Sequence, residues 1–311
     1  MEKKNISFFE MIRAPFLSSI ISPILIGTLV AYYIGREFEF INFIIVFILS
    51  IFFHIATNVY NDIYDTLQGT DAINLNRNDF SGGSGVIVKD PSSLPLMYRI
   101  ARFALVGALL ASIILFFRIQ DNLKSILIIL AGLSAFFSKF YTAAPLKLAY
   151  RGWGELSVWF AFGPMAIAAA VISQNVNLNS IVFATMPITG ISTLSILLIG
   201  QIIDFDADKE AGKWGVAVRC GKKFTGILFL LVQIILCVNI IVLSIIFLDH
   251  HWLIMLSLVP YLILLPNLIK ILVVHFNNIE LLKTAAQQNV LLHLIFSLLF
   301  VITLLISVLL R

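Results

Sequence analysis

The chain has 311 residues, 60% of them hydrophobic and only 12% charged, with a formal net charge of +4. A soluble domain carries about 25% charged residues, so a soluble globular fold is excluded. Two cysteines, Cys220 and Cys237, show no paired spacing and point to neither a disulfide nor a thiolate metal site.

The opening "MEKKNISFFEMIRAPF" carries charge, but the apolar run after it is long enough to span a bilayer and lacks a small-residue cleavage site. It reads as a first span over 15–35, with Arg13 at its start, rather than as a cleaved leader. The second span, 41–61, runs on into "NVYNDIYDTLQGTD". At a helical step of 100° per residue, Asn58, Asp62 and Asp65 fall within about 60° of one another. His54, one turn earlier, shares that face and reads equally as a functional group or as a packed intramembrane histidine. Gly69 is expected to end the helix, leaving Asp71 in the loop beyond.

The loop 62–98 also carries Arg77 and the run "FSGGSGVIVKD". That run lacks the Gly-Lys-Ser/Thr of a P-loop; a cap that orders over a ligand and a plain linker are both open. Spans three and four are expected over 99–117 and 124–144. "FFSKFYTAAPLK" places Lys139 beside Tyr141 near the inner end of the fourth, and Lys147 and Arg151 follow in "LKLAYRGWGEL". A cation in so apolar a stretch favours a functional role for Lys139. Spans five and six, 154–173 and 181–203, lead into "DFDADKEAGK". Asp204 and Asp208 share a face at i, i+4, and Asp206 points away. Gln201 lies on the side of Asp204, and Lys213 closes the loop. The last spans are expected over 226–248, 252–273 and 288–310, with Cys237 a small buried or lipid-facing residue.

With the N-terminus cytoplasmic, all but four of the 21 Lys and Arg residues fall on inner segments, the exceptions being Arg36, Arg118, Lys124 and Arg311. This is a strong positive-inside bias, which a miscounted span would scramble. The expectation is an all-α polytopic membrane protein, one domain over 1–311, with nine spans, the N-terminus cytoplasmic and the C-terminus outside. Asp62, Asp65, Asp71, Asp79, Asp90, Asp204, Asp206, Asp208 and Glu210 all lie in the two long inner loops, 62–98 and 204–225. Four spans separate the two clusters, which suggests duplication of a four-helix unit.

Solvated helix ends also collect Asp, Asn and Gly, but two clusters at matching positions favour a ligand. Helices that each present a carboxylate pair suit a hard cation. Mg²⁺ takes oxygen ligands, keeps several waters and bridges carboxylates to substrate phosphates. A phosphorylated substrate with an apolar tail fits such a site at a membrane surface. Arg13, Arg77, Lys139, Lys147, Arg151 and Lys213 are the candidate cationic donors, although each position also satisfies the positive-inside rule.

The segments "NVYNDIYDTLQGTD", "YTAAPLKLAYRGWGEL" and "DFDADKEAGK" followed by "GVAVRCG", in that order and on one membrane side, resemble the UbiA superfamily of intramembrane aromatic prenyltransferases. The resemblance covers most of the chain. It implies nine helices around a central cavity with a lateral opening to lipid, and two aspartate motifs that bind Mg²⁺ and a prenyl diphosphate. Carried over by motif, Asn58, Asp62 and Asp65 belong to the first motif, Asp204 and Asp208 to the second, and Arg13 and Lys139 to basic positions near the diphosphate. "NDIYD", "GTD" and "FSGGSGVIV" are most similar to the branch that prenylates 1,4-dihydroxy-2-naphthoate in menaquinone synthesis. Gln201 and Ile203 depart from the Asn and Arg usual ahead of the second motif, and no threonine follows the Gly-Lys pair.

The resemblance implies that an allylic diphosphate ionises and that carboxylate loss accompanies alkylation of the naphthoate ring. Asp62, Asp65, Asp204 and Asp208 are then the metal ligands. Lys139 is catalytic with them, and Arg13, Asn58, Asp71, Arg77, Tyr141, Arg151, Gln201 and Lys213 bind substrate. Phe53, Phe136 and Tyr141 are expected to line a dry cavity that protects the cation. The expected partners are a polyprenyl diphosphate, an aromatic acceptor and membrane lipid, with no nucleic acid; the expected location is a bacterial inner membrane, active site to the cytoplasm. Rival readings are the same fold acting on 4-hydroxybenzoate, homogentisate or another acceptor, and a cation-coupled transporter. A transporter places its acids near the midplane in broken helices, whereas here they sit at the inner interface.

Overall fold

The computed structural model describes residues 6–78, 80–247 and 252–310. Among these, nine helices are long and apolar enough to cross a membrane: α1 Ala14–Gly35, α2 Phe40–Leu67, α3 Pro91–Phe116, α4 Asp121–Phe140, α5 Gly154–Ser173, α6 Ser180–Ile203, α7 Lys222–Ile246, α8 Trp252–Val274 and α9 Ile279–Leu309. No strand occurs among the described residues. Helices satisfy their own backbone groups, which is what a solvent without hydrogen bonds demands. Asp79 and Arg311 lie outside the described residues.

All nine expected spans are present, and several ends move outward where polar turns prolong a helix. α3 starts at Pro91 rather than 99, because the Asp90 side chain accepts from the Ser92 N–H and Pro91 suits a first turn. α9 starts at Ile279 rather than 288: Asn278 accepts from the Leu281 N–H at 3.1 Å, and "ELLKTAAQQ" is helix-forming without being apolar. α2 runs through its aspartates to Leu67, and Gly69 turns the chain at φ +89° as expected. Asp71, expected in loop, sits in the short turn Thr70–Ile73.

α2 packs along α3, α1 along α5, and α6 along α7, while α9 packs on α1, α6 and α8. A cavity of about 270 Å³ lies among α1 to α6, lined for example by Ile20, Leu49, Ser112, Leu127, Met165 and Ile196, one from each helix. Helices α7 to α9 line none of it and form a layer behind α6 and α1. The expected ring of nine around the cavity is therefore a ring of six with a three-helix buttress.

One irregularity shapes the cavity wall. Residues Ala161–Met165 of α5 form a π turn containing Pro164, a type of turn common at functional sites. Thr189 on α6 donates to the Phe162 carbonyl at 2.7 Å. The helices touch at Gly163 and Gly190: a Cβ on Gly163 would stand 2.5 Å from the Met186 carbonyl oxygen. Phe162 and Met165 both line the cavity.

Candidate active site

The polar end of α2 carries Asn58, Asp62 and Asp65 to one mouth of the cavity, and the turn Thr70–Ile73 adds Asp71. Asp204 closes α6 and the helix Phe205–Glu210 presents Asp208. Asp62, Asp65, Asp71 and Asp208 are each no more than 6% exposed.

Asp65 is the most heavily held. Its Oδ1 accepts from the Tyr150 hydroxyl at 2.7 Å, and its Oδ2 accepts from Asn61 at 2.6 Å and from the Lys213 ammonium at 3.0 Å. Lys213 is also 3.8 Å from Asp208, so one cation bridges the two aspartate segments. Asp204 accepts from Asn74 at 2.8 Å and from the Gly82 N–H at 3.1 Å. Asp62 accepts from the Ser84 N–H at 3.2 Å, with the Arg13 guanidinium 3.7 Å away. Asn58 donates to the Ile12 carbonyl at 3.2 Å, which ties Arg13 to this face of α2.

Negative charge is in excess here. Among the described residues, only Arg13 and Lys213 form ion pairs with these five carboxylates. Burial, then the charges of Asp65 and Asp62, push Asp71 up to about 8. Burial raises Asp208 to about 7 in spite of Lys213, and it raises Asp204 as well. Burial opposes the Lys213 charge, yet Asp65 and Asp208 hold its pKa well above the ordinary lysine value. Burial also raises the phenols of Tyr141 and Tyr150, so Tyr150 stays a donor.

No group of three His, Cys, Asp or Glu among the described residues is placed to hold a metal unaided. An all-oxygen donor set with uncompensated charge nevertheless fits Mg²⁺, which completes its shell with water and substrate phosphate.

The glycine run is a cap and not a linker. Gly83 has φ +69°, and a Cβ there would stand 2.7 Å from Asp71 Oδ2 and 3.1 Å from Asp62 Oδ1. Only glycine lets the backbone come so close in that conformation. Arg77 fastens the cap, donating to the carbonyls of Gly82, at 2.7 Å, and Asp71.

Arg13, Asn58, Asp65, Asp71, Tyr141, Gln201, Asp204, Asp208 and Lys213 all line the cavity. Asp62 lies beneath Ser84 instead. Three of the expected basic residues lie outside the cavity lining. Lys139 is exposed on the last turn of α4, its ammonium 5.7 Å over the Phe140 ring; the bridging cation is Lys213. Arg151 is exposed and meets Arg219 through its carbonyl. Arg77 holds the cap and is not in the cavity lining. Phe53 and Tyr141 line the cavity as expected, but Phe137 does so in place of Phe136, one helical step away. Gln201 donates to Glu155 at 2.7 Å, and Glu155 accepts from the Val216 N–H at 2.7 Å, anchoring the segment that carries Lys213. Asp206 is exposed, 3.7 Å from Lys222, as its helical phase requires.

Sequence reasoning misses Tyr150, Asn74 and Ser84. The bond from Tyr150 to Asp65 joins residues 85 positions apart, and no local spacing signals it. Asn74 had a signal: it accepts from the Asn76 N–H at 2.9 Å in an Asx turn.

Comparison with known proteins gives a consistent result. The model of the UbiA prenyltransferase family matches residues 20–275. The chain is 31% identical to the 2-carboxy-1,4-naphthoquinone phytyltransferase of Synechocystis sp. over 213 residues, 68% of this chain and 65% of that protein. It is 25% identical to the 1,4-dihydroxy-2-naphthoate octaprenyltransferase of Bacillus subtilis over 217 residues, 69% of this chain and 66% of that one. The chain thus spans slightly less than two thirds of the length of these relatives. A UbiA homolog from Aeropyrum pernix K1 superposes with a TM-score of 0.66 at 13% identity, covering 94% of this chain and 98% of that one. A UbiA homolog from Archaeoglobus fulgidus bound to DMAPP and Mg²⁺ gives 0.56 at 12% identity, covering 95% and 99%. At such identities the likeness is one of fold.

Proposed function

The chain belongs to the UbiA prenyltransferase family, and from that premise we propose that it transfers a polyprenyl group from its diphosphate to 1,4-dihydroxy-2-naphthoate in menaquinone synthesis. The relatives named for naphthoate prenylation support this acceptor. The observation that carries the reading is Lys213, which bridges Asp65 and Asp208 at the mouth of a mainly apolar cavity. In this reading the whole chain is one domain in a bacterial inner membrane. Its N-terminus and active site face the cytoplasm and its C-terminus lies outside, in line with the distribution of Lys and Arg.

Asp62, Asp65, Asp204 and Asp208 are the proposed Mg²⁺ ligands, with Asp71 beside them. Mg²⁺, when bound, neutralises the diphosphate and makes it a better leaving group. Lys213 and Arg13 hold phosphoryl oxygens where negative charge develops. Tyr150 and Asn61 fix Asp65, and the Gly82–Ser84 backbone covers the bound head group. The C1–O bond breaks with its electron pair going to diphosphate; a ring carbon of the acceptor gives an electron pair to C1 to form the new C–C bond, and the carboxylate on that carbon leaves as CO2, its bonding pair restoring the aromatic ring. Phe53, Phe137 and Phe162 keep water from the allylic cation.

The test supplies membranes containing the protein with one polyprenyl diphosphate and Mg²⁺, and compares 1,4-dihydroxy-2-naphthoate, 4-hydroxybenzoate and homogentisate. A prenylated, decarboxylated naphthoquinol that disappears with chelator is expected. Product only with another acceptor overturns the choice of acceptor, and no product with any of the three overturns aromatic prenyl transfer.

A further inference from the structure

The proposed clamp leaves two polar groups of the cavity unused. Of the side chains that line it, only His54 and Thr193 hold a buried polar atom with no hydrogen-bond partner among the described residues: His54 Nδ1 and Thr193 Oγ1. Each residue is 6% exposed. Their positions match. His54 lies eleven residues before Asp65 on α2, and Thr193 eleven before Asp204 at the end of α6. Eleven residues make three turns with about 20° left over, so each lies on the aspartate-bearing face of its helix, about 16 Å deeper.

An unpaired polar atom in a membrane interior is costly. Thr57 and Thr185 avoid that cost by donating to the carbonyl four residues back, at 2.8 and 2.9 Å; Thr193 does not. His54 meets the edge of Phe162, ring centroids 4.9 Å apart and planes at 74°, so the wall at this depth is aromatic. An isoprenoid tail has nothing to offer these atoms, whereas an oxygen-substituted aromatic ring does.

Resting on the prenyl-transfer reading, we infer that His54 and Thr193 form the acceptor subsite: His54 Nδ1 pairs with a ring hydroxyl and Thr193 Oγ1 with a second oxygen substituent of the same ring. The ring then lies inward of the diphosphate, on the side where the allylic carbon emerges.

The test measures KM for the prenyl diphosphate and for the acceptor with the purified full chain and Mg²⁺. The acceptors are 1,4-dihydroxy-2-naphthoate and its two analogues that lack one ring hydroxyl; the proteins are wild type, His54→Leu, His54→Gln and Thr193→Val. His54→Leu and Thr193→Val each raise the acceptor KM about tenfold, the worth of one hydrogen bond, and leave the diphosphate KM within about twofold. His54→Leu also loses the wild type's discrimination against one analogue, and His54→Gln restores part of the affinity. Thr193→Val keeps the wild-type melting temperature, since a methyl replaces an unpaired hydroxyl. Unchanged acceptor KM, or equal rises for both substrates, overturns the subsite while leaving prenyl transfer intact. A wild type that prenylates no aromatic acceptor overturns both.

Discussion

Lys213 donates to Asp65 at 3.0 Å and stands 3.8 Å from Asp208. Lys213→Met leaves two buried carboxylates without their cation and removes a proposed diphosphate contact. A fall in kcat/KM of about 100-fold is expected, whereas Lys139→Met, on the exposed side of α4, stays within about twofold of wild type. Equal losses in the two variants would restore Lys139 to the site. The raised carboxylates give a second expectation. Asp71 and Asp208 titrate near 8 and 7, above the ordinary aspartate value near 4, so the folded, metal-free state binds more protons than the unfolded one. Their contribution to stability is present below about pH 4 and is lost as pH rises through 7 to 8. The melting temperature of the metal-free protein should therefore fall between pH 5 and pH 8. Mg²⁺ affinity should rise over the same range, because binding displaces those protons. Calorimetry in buffers of different ionisation enthalpy reads the proton release directly.

Among the elements, the glycine cap and the α5–α6 contact depend on single atoms. Gly83→Ala forces a Cβ against Asp71 and Asp62 in a conformation that costs about 1 kcal/mol or more for alanine. The cap should lift, raising the KM for prenyl diphosphate and opening residues 80–85 to protease, with little change in the melting temperature. A protease pattern like that of wild type would show that the cap absorbs the change. The nine spans are legible in the apolar runs because the membrane imposes length. The carboxylate pairs are legible because helical phase puts Asn58, Asp62 and Asp65 on one face. What sequence leaves hidden is set by long-range packing: which side of α4 turns outward, hence Lys139 against Lys213 and Phe136 against Phe137, and the reach of Tyr150 across to Asp65. The ends of α3 and α9 escape an apolar-window reading because their first turns are helical but polar.

The whole molecule joins a proposed membrane orientation to a proposed clamp. The exposed Cys220 lies in the helix Val216–Cys220, just ahead of α7, on the face that carries the aspartates. A membrane-impermeant maleimide should label it in inside-out vesicles and not in right-side-out ones; the reverse pattern would invert the proposed orientation. The clamp claim is that the aspartates of α2 and those after α6 act as one unit, joined by Lys213 and the cap. The most direct measurement is Mg²⁺-dependent release of diphosphate from a polyprenyl diphosphate in the presence of acceptor, for wild type, Asp65→Asn, Asp204→Asn and the double variant. Groups that act as one unit lose function together, so each single change should cost about 100-fold or more and the double little beyond that. Single variants close to wild type, or losses that simply multiply in the double, would contradict a single clamp.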